Sequence, residues 1–546
     1  MLNLLQAYKK TDAKDRNSRK VAWGLSLLCF TIFLVICRPL LNSGDDAFIM
    51  YTFSGAFGGE PSVLVDLSNA WNIILSYPIV ALFTNLPILN WYTFFLVLLH
   101  FASFFVITHS LVKRSGLFAG AILSIIYFLC FESMMLLSLT FTNTSMVCAI
   151  AVNLWLTGEK DIPSFSLKTA YKTPILLMLI AGLLRLYTLL FIELLFIPIL
   201  IFTFKKRLST LLFIKSGVLF IIMLLHYGHW IYNTRHVDGW SNNHERKEVQ
   251  YKLANRPVDT LLLQQSINNI TASQFFINNF HYDTASLPVN MMKQGIDHAI
   301  RKRTLDNHND RQILYWAFVE NRVYLFLIFC SGLVLWLLRD YRQLSYGLAS
   351  FTFLTSVYFV LFIYFKTPVH LTHALLAVAW LSMRIPGLKG KSWMLMLLVP
   401  AAIWGSVRIY KMNARNLENY EKWICAYNAI SKDSAAVHVA TDGSFPIDYF
   451  NIYENPRDFR LTNFLSQPQF PLTLYRRRAE DLHVTKIDDF VNKHPDQSPH
   501  RILFVGETLH AIPYYLNEKN ISIASIDSTD KECLMIYSLI SKQLSP

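Results

Sequence analysis

Charge is what this sequence has least of. Only 16% of its 546 residues are Asp, Glu, Lys or Arg, against 53% that are hydrophobic, a balance that excludes a soluble protein of this size. Cysteine is scarce at seven residues, and Cys29, Cys37, Cys130, Cys148 and Cys330 fall in or beside apolar runs, where a thiol is a small filler. A disulfide-dense secreted scaffold is excluded with them. Only Cys425 and Cys533 stand in polar sequence, as the one pair placed to form a bridge in an oxidising compartment. Internal repeats and low-complexity segments are also lacking, which removes solenoids and chains built from duplicated halves.

In place of charge there are long apolar runs, each near the roughly twenty residues that a helix needs to cross a hydrocarbon core. Val21 to Leu41 is the first, preceded by Lys9, Lys10, Lys14, Arg16, Arg19 and Lys20, so the positive-inside rule puts the N-terminus in the cytoplasm. It is too long for a removable signal peptide and has no small-residue cleavage pattern. Later spans are predicted at Trp91 to Val112, Leu117 to Leu137, Ser145 to Leu156, Leu211 to Tyr232, Val323 to Leu338, Tyr346 to Phe365, Val369 to Met383 and Ser392 to Val407. Thr173 to Phe204 is too long for one straight span and is flanked by basic residues at both ends, so it reads as two short helices turning near Arg185. The fold class is thus a polytopic α-helical membrane protein of about eleven transmembrane helices. Its membrane module covers residues 1–407, with a first outer loop at 42–90 and a long outer loop at 233–321.

The tail, 408–546, has no further span and is expected to be an extracytoplasmic soluble α/β domain. Glu418 to Ser431 and Glu507 to Asn517 read as helices, and Ala435 to Thr441, Arg501 to Gly506 and Ile521 to Ile526 as strands. The net charge of +13 does not imply nucleic acid, because the basic residues gather in short loops where topology and anionic lipid account for them.

Against this background, Asn42 to Ser62 (NSGDDAFIMYTFSGAFGGEPS) stands out, for it places Asp45 and Asp46 just past the end of the first span. The segment after the pair is apolar enough to lie as a short helix along the membrane surface, with a second such piece from Trp71 to Leu86. The plain reading of the pair is a helix N-cap that satisfies free N–H groups and complements the dipole. The chemical reading is a general base, since carboxylates beside apolar surroundings, and beside each other, have their proton affinities moved apart. Both readings can hold at once. Other costly charges converge on the same half of the membrane: Glu132, Arg185, Glu193, Lys366 and His370.

In this layout, and in the residues GDDAFIMYTFSGAFGGEPS, the chain resembles the GT-C superfamily of integral-membrane glycosyltransferases, in particular bacterial members that use polyprenyl-phosphate sugars. Weaker echoes lie at Leu183-Leu184-Arg185 and Lys366-Thr367-Pro368. The resemblance implies transfer of a sugar from a polyprenyl-phosphate donor to a glycan, lipid or protein acceptor of the cell envelope. It implies a multi-pass protein of the bacterial cytoplasmic membrane, acting on its outer face among membrane lipids and without nucleic acid. It maps the general base onto Asp45, with Asp46 as neighbour or alternative, and the donor phosphate onto Arg185 and Lys366. His370 is also placed there, although related sequences often have Arg at its position. Tyr51, Glu60, Glu132 and Glu193 are further candidates.

The chemistry agrees with that mapping. A sugar leaving phosphate creates an anion, so the site needs cations aimed at it and a base on the attacking hydroxyl. Metal dependence stays open: no cofactor is assigned, and the Asp pair is one place where Mg or Mn could join the donor phosphate. The i, i+3 histidine pairs His226/His229 and His370/His373 have no identifiable third ligand. The basic run Arg476 to Arg478 reads as solvated surface. The alternatives are a polysaccharide polymerase or ligase using the long loop, a lipid-linked-sugar transporter, and a non-enzymatic scaffold.

Overall fold

The computed structural model describes residues 2–65, 70–158, 172–203, 208–237, 240–267, 288–366, 369–385, 391–433, 436–440, 445–466, 501–505, 522–531 and 534–542. The chain opens with α1 (Leu2–Ile36), a two-residue strand β1 (Leu40–Leu41), then α2 (Gly44–Ser54) and α3 (Ile73–Asn85). There follow α4 (Trp91–Ser115) and a returning run of α5 (Leu117–Tyr127), one π turn (Phe128–Glu132) and α6 (Ser133–Leu137). Strand β2 (Ser138–Leu139) leads to α7 (Phe141–Gly158), α8 (Lys172–Leu184), α9 (Leu186–Thr203) and α10 (Leu208–His236). The long loop contains α11 (Trp240–Asn255), α12 (Thr260–Ile267) and α13 (Val289–Ala299). The bundle then resumes with α14 (His308–Leu337), α15 (Tyr341–Tyr364), α16 (Val369–Ser382) and, after a 3₁₀ stretch, α17 (Val399–Ser431).

Among the described residues seven of these helical runs are long and apolar enough to cross a membrane, and five shorter apolar helices accompany them. The protein is an integral membrane protein. Its exposed large side chains, such as Val35, Phe213, Phe220 and Phe329, lie on these helices, where lipid rather than water makes exposure cheap. The interior is close-packed. Gly120 lets α5 meet α4, because a Cβ there would stand 2.3 Å from the Val112 Cα.

The bundle has two chemically different ends. At one, Asp15 meets Lys113 at 3.7 Å and His109 at 3.3 Å, and Arg114 donates to the carbonyl of Leu154 at 2.5 Å. At the other, β1 and β2 pair in parallel, Leu40 with Ser138 and Leu41 with Leu139. That small ladder matters for the site, since one strand leads into α2 and the other into Phe141.

The tail forms a five-stranded sheet of β3 (Ala436–Ala440), β4 (Phe464–Ser466), β5 (Arg501–Val505), β6 (Ser522–Lys531) and β7 (Leu534–Lys542) in the order β4-β3-β5-β7-β6. β3 runs parallel to both β4 and β5, whereas β7 is antiparallel to β5 and β6. Three of these strands stand where the alternation in sequence puts them. The expected helix at 507–517, the arginines at 476–478 and Cys533 lie outside the described residues. Cys425, on α17, is disulfide-bonded.

Several boundaries differ from the sequence reading for physical reasons. The first helix ends at Ile36, because Pro39 cannot continue it and Leu40–Leu41 are taken by the β ladder. The helix expected at 418–431 is the far end of α17, which runs unbroken across the 407/408 boundary since no Pro or Gly interrupts residues 408–431. α2 does not lie on a membrane surface: Asp46 through Ser54 are all buried. Its all-round apolar character is explained by protein packed on every side. The two short helices expected to turn near Arg185 are present as α8 and α9, with Arg185 between them.

Candidate functional site

Asp45 and Asp46 occupy the first turn of α2, but neither is its cap. Ser43 holds that place without a side-chain bond, so the pair serves the helix dipole only by position. Asp46 is completely buried and turns away from its own helix. Its Oδ1 accepts the Tyr92 hydroxyl at 2.5 Å and the Phe141 backbone N–H at 2.8 Å. One carboxylate thus joins α2, α4 and α7. Its Oδ2 has no partner within hydrogen-bonding geometry among the described residues. Burial pushes the Asp46 carboxyl up to about 7, against the pull of Tyr92 and the Phe141 N–H, with Asp45 adding to the rise and the nearby Ser43 hydroxyl opposing it. Asp45 is half-buried.

Arg185 arrives at the same place by a different route. Residues 70–72 pair with the end of α8: Ala70 bridges Arg185, and the N–H groups of Trp71 and Asn72 donate to Leu184 and Leu183, each at 2.8 Å. Asn72 then caps α3 by accepting from the Ile74 N–H at 3.1 Å. Trp71 has a positive φ of 45°, a strained value for a bulky residue, and its buried ring lies 4.9 Å from Tyr92 and 6.1 Å from Phe141. From there the Arg185 guanidinium donates to the Thr142 hydroxyl and stands 5.5 Å over the Phe141 ring. The N–H that holds Asp46 and the hydroxyl that holds Arg185 therefore belong to consecutive residues. No carboxylate pairs with Arg185 among the described residues.

The other predicted residues have different addresses. Glu132 ends the π turn and bonds His100 Nδ1 at 2.7 Å, both side chains fully buried between α4 and the α5–α6 run. Glu193 is bound into a three-helix clamp: Lys215 reaches it at 2.6 Å and Asn153 at 2.5 Å, and Asn153 donates to Glu193 at 2.9 Å. That set is mutually satisfied and makes no contact with the acid pair. Tyr51 is buried against Phe57 and Phe450, on the side of α2 facing the tail. Glu60 is exposed.

Lys366 sits in a cationic group at the end of α15. It donates to the Leu253 carbonyl at 3.0 Å, while Arg256 and Arg303 donate to the carbonyls of Tyr364 and Phe365 at 3.1 and 3.3 Å. Partial burial and the Arg303 charge lower its proton affinity. The His370 side chain lies outside the described residues. His226 bonds the Gly182 carbonyl at 2.9 Å, an ordinary role for a buried imidazole.

A divalent cation would find Asp45 and the Asp46 Oδ2 here. Among the described residues no three His, Cys, Asp or Glu lie together to hold a metal by themselves. Sequence reading missed Tyr92, Phe141 and Thr142. Tyr92 opens a span, where an aromatic is expected in any case, and one sequence gives nothing to link it to an acid 46 residues away.

No protein-family model and no curated protein matches the chain. Among solved structures it is similar to ArnT from Cupriavidus metallidurans in the apo state, with a TM-score of 0.44 and 12% identity over 95% of this chain and 98% of that one. It is likewise similar to ArnT from Cupriavidus metallidurans bound to undecaprenyl phosphate, with a TM-score of 0.43 and 12% identity over 95% and 97% of the two chains. A likeness at that level assigns neither activity nor residues.

Proposed function

We propose that this protein is a membrane glycosyltransferase that moves a sugar from a polyprenyl-phosphate donor to an envelope acceptor, with Asp45 as general base. The observation that carries the reading is the anchoring of Asp46 and Arg185 on the neighbouring residues Phe141 and Thr142. Base and cation are the two groups such a transfer needs. Asp45, half-open beside the buried Asp46, takes the proton of the acceptor hydroxyl as its oxygen attacks the anomeric carbon. The bond from that carbon to the phosphate oxygen breaks, and the charge left on phosphate is met by Arg185, whose guanidinium can offer parallel N–H groups. Lys366 and the guanidiniums around it are a second cationic station for the carrier. A Mg or Mn ion shared by the acids and the phosphate is compatible with the donor set.

The test is transfer of labelled sugar from polyprenyl phosphate by membranes holding wild type, Asp45→Asn or Asp46→Asn at equal folded amounts. Asp45→Asn is expected to lose about a hundredfold or more in rate. Retention of full activity by both variants would leave the pair a structural feature of α2 and remove this mechanism.

A further inference from the structure

The segment from Phe450 to Leu461 belongs in sequence to the tail, between β3 and β4. Its polar contacts outside the tail are nevertheless with residues 34–93, on both sides of and within the first outer loop. Before α2, Leu41 N–H donates to the Phe450 carbonyl at 3.0 Å and Asn451 bridges Leu40. Beside α2, Asn90 reaches both Met50 Sδ at 3.1 Å and the Glu454 carbonyl at 3.0 Å, and Thr93 donates to the Ile452 carbonyl at 2.8 Å. After α2, Leu461 N–H donates to the Ala56 carbonyl at 2.9 Å. Both ends of the short helix are therefore tied to one strap.

The most directional of these ties is Arg457. Its Nε donates at 3.0 Å to the carbonyl of Ser54, the last residue of α2 and one of the four carbonyls that a helix leaves unpaired at its end. A cation there complements the negative end of the dipole. The opposite end carries Asp45 and Asp46, and Asp46 is fastened to Tyr92 and Phe141. The turn after Ser54 is tight, since Gly55 has φ 72° with no room for a Cβ beside the Gly59 carbonyl, and the N–H groups of Ala56, Gly58 and Ser62 fold it back onto Tyr51, Gly55 and Thr52. An eleven-residue helix held at both ends has one direction; without Arg457 its far end keeps the Leu461–Ala56 backbone bond but loses the charged tie, and it can shift about the Asp46 anchor. Asp45, half-open and next to that anchor, moves with it.

We infer that Arg457 is a positioning residue for the acid pair, and that the 450–461 strap is part of the scaffold of the proposed active site rather than a cover over it. The inference rests on Asp45 being the base. Its experiment has one arm that does not need that reading. Full-length wild type, Arg457→Met and Arg457→Lys are placed in lipid nanodiscs, and amide hydrogen exchange is followed beside sugar-transfer kinetics. Arg457→Met is expected to speed exchange in residues 44–54 about tenfold while α4 and α7 keep their protection. It should also lower kcat about tenfold with the donor KM within about twofold of wild type, since misplacing a catalytic group costs rate rather than binding. Arg457→Lys, which restores a charge at the helix end, should recover most of both.

Unchanged exchange in 44–54 overturns the inference. So does loss of protection across α4 and α7, which would make Arg457 a residue of global stability, or a rise in KM at constant kcat, which would make it a binding residue. Loosening of 44–54 in a protein whose wild type transfers no sugar leaves the strap's hold on α2 established and instead removes the glycosyltransferase reading.

Discussion

Asp46 carries a proton at pH values where an ordinary aspartate does not, and this has a sign that can be measured. Its carboxyl is moved from 3.8 to about 7, chiefly by burial. Between those values the folded protein holds a proton that the unfolded chain has released, so the contribution of Asp46 to stability falls as pH rises through the window and is least above about 7. In nanodiscs the melting temperature of wild type should decline from pH 4 to pH 8 more steeply than that of Asp46→Asn, which has no proton to lose. Tyr92→Phe removes the hydroxyl that favours the charged form, so it should push the Asp46 value further up. Infrared difference spectra, with the carboxyl band assigned by its loss in Asp46→Asn, would follow that titration. A value for Asp46 near that of a free carboxylate in Tyr92→Phe would mean that burial is not the controlling force.

At the scale of elements, helices with strong apolar runs were readable from sequence, as was the turn at Arg185. What joins them was not. Glu193 draws notice as a charge in a span, yet its partner Lys215 sits in the next apolar run, and only packing brings α7, α9 and α10 into one clamp. His100 and Glu132 illustrate the same limit on α4 and the α5–α6 run. Nor could spacing reveal that the apolar residues of α2 face a strap from the far end of the chain rather than lipid. Burial makes the clamp testable. Lys215→Met leaves Glu193 with Asn153 as its remaining partner in the clamp and should destabilise by about 3–5 kcal/mol. Replacing Glu193 by Gln in that background should recover much of the loss, because the uncompensated charge is then gone. Thermal unfolding of the two variants in one detergent decides it; a double variant no more stable than the single one would show that the clamp acts through shape rather than charge.

At the scale of the whole molecule, the direction of insertion decides which compartment the acid pair faces. Two sets of contacts fix which residues share an end. Asp15, Lys113 and Arg114 meet at one, and Asp46, Arg185 and the 450–461 strap at the other. Among the described residues Lys113, Arg114 and Arg384 gather at the first end. The positive-inside rule predicts that this end is cytoplasmic and that Asp45, the strap and the long-loop helices face outward, an orientation that labelling can test. The native thiols make a labelling test clean. Cys37, Cys130, Cys148 and Cys330 are buried, Cys29 is partly so, and Cys425 is already bridged, so these six offer little background to a polar reagent. Asn309 and Ser345 are both exposed, at the starts of α14 and α15, which lie at opposite ends of the bundle. A membrane-impermeant maleimide added to intact cells should modify Asn309→Cys and leave Ser345→Cys untouched until the membrane is opened. The reverse pattern would put the acid pair in the cytoplasm, where a base awaiting an outer-face acceptor has nothing to act on.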